Sequence, residues 1–239
     1  MPRRFFMTGP LVVGPRRLEG AEAHHLTHVL RIGVGECVTL FDGSGIDALA
    51  ELTAIADGTA EVVVRETYAA RTEPSVCVVL ATAVPKGERF GWLIEKATEL
   101  GVQRFVPLIT ERSVILPGEG KLEKMRRTIV EASKQCGRSR MMDLAVPVRW
   151  AEFVARDVSA SATWVAHPAG APFESTRHVT TGPVVAAVGP EGGFTDAELE
   201  LAVQAGARLV SLGARVLRIE TAAVALAALW TCTACEQCE

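Results

Sequence analysis

The chain has 239 residues, of which 49% are hydrophobic and 22% charged, and its formal net charge is −3. This composition is typical of a globular protein with one large or two modest domains, and it excludes a disordered or fibrous chain. No apolar run is long enough to span a membrane, and Thr8, Gly9 and Pro10 interrupt the only segment that resembles a signal peptide, so we expect a cytoplasmic protein.

The first 70 residues show a pattern of short strands and turns that is typical of a small β domain. Short β-prone runs at 36–45, 46–55 and 59–68 alternate with Gly and Asp turns, as in a meander or barrel. A helical stretch at 21–30 interrupts them and carries three of the five histidines. His24 and His28 share a helical face, but no acidic or thiol residue joins them at usable spacing, so we predict surface or partner-facing histidines and no metal site.

After a junction at 68–74, apolar strands alternate with amphipathic helices, which predicts a largely parallel α/β sheet in a second domain. We therefore divide the chain into domains 1–70 and 71–239. Thr195 and Glu198 form a capping box that starts one of the helices. The predicted strands are 75–84, 104–109, 144–150, 161–167, 183–189 and 207–213.

A predicted helix in the middle of the chain is strongly basic. Residues 121–140 hold seven basic side chains against two acidic ones, in a chain that is acidic overall. Such a stripe is typical of a surface that meets a polyanion, although a solvated helix face is equally compatible with the charge pattern. With two N-terminal arginines, the candidate RNA-binding residues are Arg3, Arg4, Lys121, Lys124, Arg126, Arg127, Lys134, Arg138 and Arg140.

Three loops at predicted strand ends, 166–170, 188–193 and 211–222, carry the strongest signal for a ligand. Ligands of open α/β sheets bind beyond the carboxyl ends of the strands. The glycine-rich loop "VGPEGG" is neither a dinucleotide fingerprint nor a P-loop, and no G-x-S-x-G elbow occurs. What remains is a set of loops that would present backbone polar groups to a flat, polar ligand.

The cysteines give little functional information. Cys37, Cys77 and Cys136 lie among apolar neighbours and are interpreted as buried free thiols. Cys232, Cys235 and Cys238 follow a helical segment at three-residue intervals, where a frayed helix end is a better explanation than a metal site.

Several blocks, in order along nearly the whole chain, resemble the RsmE-type 16S rRNA (uridine-N3) methyltransferases of the SPOUT superfamily. The C-terminal blocks are "VGPEGGFTDAELELA" and "SLGARVLRIETAAVALAAL"; the earlier ones are "HHLTHVLRIGVGE", "FDGSG", "ATAVPKGERFGWLIEKATELGV", "PLITERSV" and "EASKQCGRS". Ile219 departs from the family, which more often has Thr at this position.

This resemblance implies a PUA-like β-barrel followed by a SPOUT domain with a deep trefoil knot, and it implies a homodimer. It also implies that S-adenosylmethionine is the cofactor and that 16S rRNA, or the small ribosomal subunit, is the partner, methylated at N3 of a uridine in the decoding region. Carried onto this chain, the cofactor residues are His167, Pro168, Val188, Gly189, Pro190, Glu191, Gly192, Gly193, Ser211, Leu212, Gly213, Val216, Leu217, Arg218 and Thr221.

Methylation at N3 requires removal of the N3 proton, by a base or with help from cations near the ring oxygens. Arg218 or Arg138 is the candidate that stabilises the anion, and Glu191 or Glu220 is the candidate proton acceptor. A purely structural pairing of Glu220 with Arg218 is an alternative. At the level of function, methylation of another RNA target, at a ribose 2′-O or a tRNA base, and a non-catalytic role in ribosome assembly also remain open.

Overall fold

A computed structural model describes residues 3–173 and 182–232, so Cys235 and Cys238 lie outside the described residues. The chain divides into two compact units. One comprises Met1–Glu73 and Val130–Met141, and the other comprises Pro74–Ile129 and Met142–Glu239. The first unit thus includes a segment from the middle of the chain. The functional division into domains 1–70 and 71–239 stays a prediction.

The first unit contains a five-stranded sheet in the order β1-β3-β4-β5-β2. The pairing of β1 with β3 is parallel and the other pairings are antiparallel. β3, β4 and β5 were predicted. β2 was not, because Gly14 and Pro15 weaken a strand pattern, and the structure tolerates Pro15 there because β2 is an edge strand. The bounds are β1 Arg4–Phe6, β2 Gly14–Leu18, α1 Gly20–His24, a π-helical turn His25–Val29, β3 Cys37–Phe41, β4 Ile46–Ala56 and β5 Thr59–Ala69.

The predicted helical stretch at 21–30 covers this sheet with its apolar face. Ala23 and Leu26 are fully buried in the core of the unit. The opposite face exposes His24 and His28, whose rings stack with centroids 4.7 Å apart. Within residues 3–173 and 182–232, no group of His, Cys, Asp and Glu side chains could hold a metal ion.

The second unit is built on a parallel sheet in the order β12-β10-β11-β6-β7-β8, with β9 also paired to β7. The predicted α/β class with a parallel sheet is confirmed. The bounds of the elements from β6 onward are β6 Val78–Ala83, α2 Arg89–Glu99, β7 Arg104–Ile109, α3 Glu119–Cys136, β8 Asp143–Leu144, β9 Val148–Arg149, α4 Trp150–Phe153, a π-helical turn Val154–Val158, β10 Ala162–Pro172, β11 Val184–Val188, α5 Asp196–Gln204, β12 Arg208–Ser211 and α6 Ile219–Thr231. From Val130 onward, α3 belongs to the first unit.

Two details of the second unit differ from the prediction. The run 144–150 is not one strand, because the unpaired segment around Pro147, which has no N–H to donate, separates β8 from β9. The loop expected at 166–170 lies inside β10, which continues to Pro172 through a shift in register. Gly170 makes this path possible, since a Cβ there would lie only 2.4 Å from the backbone N of Val210.

The helices agree with the predicted patterns, whereas the burial of two cysteines does not. The Thr195–Glu198 capping box at the start of α5 is present, and the apolar positions of α2 face the core. Cys37 and Cys136 are exposed rather than buried, so their interpretation as buried thiols was wrong. None of the described helices is long and apolar enough to cross a membrane.

The end of β11 is shaped by packing around a glycine. β11 is buried along its whole length, and the chain then turns at Gly189. A Cβ on Gly189 would lie 2.9 Å from Cδ2 of Phe194 and 3.2 Å from its backbone N. Phe194 is itself buried and packs on Trp150 with ring centroids 4.5 Å apart. Gly189 therefore allows the loop to close tightly over an aromatic core.

We expect Gly189→Ala to destabilise the protein, because the new methyl group must displace Phe194 or bend the loop. The expected cost is about 1–3 kcal/mol in the free energy of unfolding, which thermal unfolding would register as a Tm lower by several degrees. Gly182→Ala is the matched control, since no atom of the described residues lies within 4 Å of its added Cβ and its φ is not positive. Equal Tm values for the two variants would contradict this packing argument.

Candidate functional site

A cavity of about 290 Å³ lies in the second unit at the carboxyl ends of β11 and β12, beside residues 166–168 in the middle of β10. These three strands are neighbours in the sheet, with β10 in the middle, so the segments that follow or end them meet in one place. The volume is close to the lower limit for small-molecule pockets. The wall consists of Ala166, His167, Pro168, Val188, Gly189, Pro190, Glu191, Gly193, Phe194, Ser211, Leu212, Gly213, Arg215, Val216, Leu217, Arg218, Ile219 and Ala222.

All the predicted cofactor residues except Gly192 and Thr221 are on this wall. Gly192 carries its contacts on the outside of the loop, as described below. Five wall residues were not among the predicted cofactor residues: Ala166, Phe194, Arg215, Ile219 and Ala222. Ile219 and Ala222 are three residues apart on α6 and so present one helical face to the cavity, whereas Thr221 lies on another face. Their apolar spacing could have been read as a signal, but it is indistinguishable from that of core residues.

The two glycine-containing turns of the wall depend on conformations that glycine adopts readily. Gly193 has φ +71°, and its N–H donates to the carbonyl oxygen of Pro190 at 2.8 Å, which closes the turn after β11. Gly213 has φ +105° in the segment after β12. The hydroxyl of Ser211 donates to the carbonyl of Gly213 at 3.3 Å. Other residues would be strained at these positive φ values.

The charged groups of the wall lie at its solvent side. Glu191, Arg215 and Arg218 are exposed, and within the described part of the chain none of them forms an ion pair. Arg218 is the N-cap residue of α6 and makes no capping hydrogen bond with its side chain. Between the arginines, Val216 is 90% exposed, which is unusual for an apolar residue on a cavity wall. The site therefore combines free charge, uncovered apolar surface and backbone polar groups.

Glu220 is not part of this wall. It is only 7% exposed, one carboxylate oxygen pairs with Nη1 of Arg89 at 3.6 Å, and the other oxygen has no hydrogen-bond partner among the described residues. The alternative in which Glu220 pairs with Arg218 is therefore wrong: its partner is Arg89 at the start of α2. Glu220 is thus buried and absent from the cavity wall, which argues against its role as the proton acceptor.

Arg138 is likewise engaged in a buried ion pair. It is 3% exposed, and its Nε and Nη2 donate to the carboxylate of Glu73 at 2.9–3.2 Å, all within the first unit. Its guanidinium is therefore used for structure, and the structure does not support the prediction that it contacts RNA or substrate. Removing either partner would leave a buried charge, at a cost of about 3–5 kcal/mol.

Two other predicted RNA-binding residues have the same structural role. Lys134 pairs with Glu22 at 2.9 Å, and Arg4 pairs with Asp47 at 3.0 Å, and both side chains are about nine-tenths buried. Neither presents free charge to solvent, contrary to expectation. The remaining residues of this prediction are exposed or half-buried: Arg3, Lys121, Lys124, Arg126, Arg127 and Arg140.

Family models match both parts of the chain. A model described as RNA methyltransferase domain matches residues 72–231, and one described as RNA methyltransferase PUA domain matches residues 18–65. Among curated proteins, ribosomal RNA small subunit methyltransferase E of a Synechocystis strain is 36% identical over 93% of this chain and 77% of its own length. The Bacillus subtilis protein of the same name is 30% identical over 86% and 85%.

Solved structures agree with the sequence relatives. Ribosomal RNA small subunit methyltransferase E from Neisseria gonorrhoeae, bound to S-adenosyl methionine, superposes with a TM-score of 0.88 at 30% identity, covering 95% of this chain and 96% of that one. A methyltransferase from Legionella pneumophila, in complex with the bound cofactor SAM, has a TM-score of 0.84 at 32% identity, covering 96% and 97%. The strand-end cavity thus occurs in a chain that belongs to the RsmE family of RNA methyltransferases.

Proposed function

We propose that this protein uses S-adenosylmethionine to methylate N3 of a uridine in the decoding region of 16S rRNA. The observation that carries the proposal is the cavity beside β10, β11 and β12, because its wall contains nearly all the residues that the family resemblance assigned to the cofactor. The names and bound cofactor of the relatives support the same activity. The choice of N3 and of the uridine rests on the family resemblance.

The wall is chemically suited to this cofactor. Apolar side chains such as Leu212, Leu217 and Ile219 can cover a flat adenine ring, while backbone groups of the turns can satisfy its polar edge. The carboxylate of Glu191 suits a cationic sulfonium. Glycine at 189 and 213 keeps side chains out of the space that the cofactor would need.

When bound, S-adenosylmethionine would supply an electrophilic methyl group. The chain has to provide a nucleophile, which for N3 of uridine means removal of its proton and stabilisation of the resulting anion. Of the four candidates, we retain Glu191 as the proton acceptor and Arg218 as the cation near the ring oxygens. Their support is that both are exposed on the cavity wall, whereas Glu220 and Arg138 are buried in ion pairs.

The activity is tested by incubating the purified protein with small subunits or 16S rRNA that lack the modification, together with S-adenosylmethionine. We expect one methyl group per rRNA, recovered as N3-methyluridine by mass spectrometry of nucleosides and mapped to the decoding region.

Arg218→Ala should lower the methylation rate by more than tenfold, as loss of an electrostatic stabiliser does. A methyl group on a ribose 2′-O or in tRNA would overturn the choice of target. Failure of the protein to bind the cofactor in calorimetry would overturn the enzymatic role and leave a ribosome assembly factor.

We also propose that the exposed part of the basic surface binds rRNA phosphates. On the part of α3 in the second unit, the side chains of Arg127 and Lys124 are 79% and 61% exposed, and their ion pairs are long, at 3.6 and 3.8 Å. Such cations can exchange a weak intramolecular pair for a phosphate.

For this surface we expect the rRNA affinity to fall steeply as the salt concentration rises. The double variant K124E/R127E should lower the affinity, and it should reduce the slope of log K against log salt by an amount that corresponds to about two phosphate contacts. Filter binding or fluorescence anisotropy at several salt concentrations measures both quantities. Arg156→Glu is the control, since Arg156 is an exposed cation on another element, paired with its neighbour Asp157. An unchanged slope in K124E/R127E would rule out these residues as phosphate contacts.

The remaining family features are part of the proposal: a PUA-like RNA-binding barrel at 1–70, a SPOUT domain at 71–239 threaded as a deep trefoil knot, and a homodimer. The dimer rests on the family resemblance. We expect a cofactor-bound crystal structure to show the knot, and light scattering to give twice the chain mass of 25.5 kDa. A monomer in solution would refute the dimer.

A further inference from the structure

The short segment between β7 and α3 contacts the back of the loop that follows β11. Nη1 of Arg112 donates to the carbonyl oxygen of Gly192 at 2.7 Å. Gly192 is the one residue of the run 188–194 that is not on the cavity wall, while Glu191 and Gly193 on either side of it are. Arg112 therefore contacts the loop from outside, at the one residue of this run that does not face the cavity.

Glu198 fixes the backbone from which Arg112 extends. Its Oε1 accepts the N–H of Glu111 at 2.9 Å, and its Oε2 accepts the N–H of Thr195 at 2.9 Å. The carbonyl oxygen of Glu198 in turn accepts the indole N–H of Trp150 at 2.8 Å. One carboxylate thus joins the first turn of α5, directly after the loop, to the backbone beside Arg112. The stem of Arg112 is held in place relative to the loop that its tip contacts.

Steric contact reinforces the hydrogen bond. A Cβ on Gly192 would lie 3.3 Å from Cδ of Arg112 and 3.5 Å from its Cβ, so the arginine stem lies flat against the glycine. The φ of Gly192 is not positive, so its backbone conformation does not require glycine. Glycine is instead suited to this position by the closeness of Arg112, and the two residues act as one contact.

We propose that Arg112 is a positioning residue that holds the 188–193 loop in the shape that binds the cofactor. This inference rests on the proposed function, since it concerns the same cavity. A loop that is held in its binding shape in advance does not have to be ordered when the ligand arrives, and this gain appears as affinity. The effect of Arg112 is therefore expected in the binding of S-adenosylmethionine rather than in the methyl-transfer step.

Calorimetric titration of the full chain with S-adenosylmethionine tests the inference. We expect Arg112→Ala to raise the Kd and the KM for the cofactor about tenfold, because a charge-assisted hydrogen bond is lost. The kcat at saturating cofactor should stay within about twofold of the wild-type value. Arg112→Lys, which keeps one donor, should recover part of the affinity. Arg156→Ala, which removes an exposed arginine elsewhere in the unit, should leave Kd unchanged.

A double-mutant cycle separates this contact from a general loss of stability. Gly192→Ala should weaken cofactor binding when Arg112 is present, because its methyl group pushes the guanidinium away from the carbonyl, and should have little further effect in Arg112→Ala. Additive effects, or an unchanged Kd in Arg112→Ala, would overturn the role of Arg112 while leaving the proposed function intact. If the unchanged protein failed to bind the cofactor, both would be overturned together.

Discussion

The candidate site depends on the parallel pairing of β12, β10 and β11, which brings the carboxyl ends of three strands to one edge of the sheet. β11 is buried along its full length and is paired on both sides, to β10 and to β6. The loop after it therefore starts from a fixed position. The sheet therefore determines where the cavity lies, and the loops complete its wall.

Close approach of backbone atoms is the recurring means by which that shape is achieved. Gly170 lets β10 pass the backbone of β12 beyond the shift in register, Gly189 lets the loop close over Phe194, and Gly192 lets the stem of Arg112 lie against the loop. Only the turns at Gly193 and Gly213 depend on positive φ. Glycine is thus needed in the site for two different physical reasons, close contact and backbone conformation, which the sequence does not distinguish.

The basic residues show a similar division between structure and function. In the first unit, Arg4, Lys134 and Arg138 are buried against Asp47, Glu22 and Glu73; the first pair joins β1 to β4, and the other two join the segment 130–141 to the N-terminal part of the unit. A buried cation is held there by its carboxylate, since an unpaired charge in that place would be costly. Charge counting along the sequence cannot detect this, because the partners lie between 43 and 112 positions away. The exposed cations with long ion pairs, such as Lys124 and Arg127, are those available to a polyanion.

The sequence alone determined the class of fold, most of its strands and helices, and the family to which the chain belongs. These follow from local patterns: continuous apolar runs, helical spacing, the Thr195–Glu198 capping box, and ordered blocks such as "VGPEGG". Nearly all the cavity residues were accessible in the same way, because they cluster in those blocks.

Tertiary structure alone decided which charged groups remain free. It placed Glu220 against Arg89 and Arg138 against Glu73, and left Glu191 and Arg218 on the wall. It also showed that Arg112, 80 positions before Gly192, supports the loop from behind. The physical reason is that pairing and burial depend on distances between residues far apart in the chain, whereas spacing within a segment reports only which side of its own helix or strand a residue occupies.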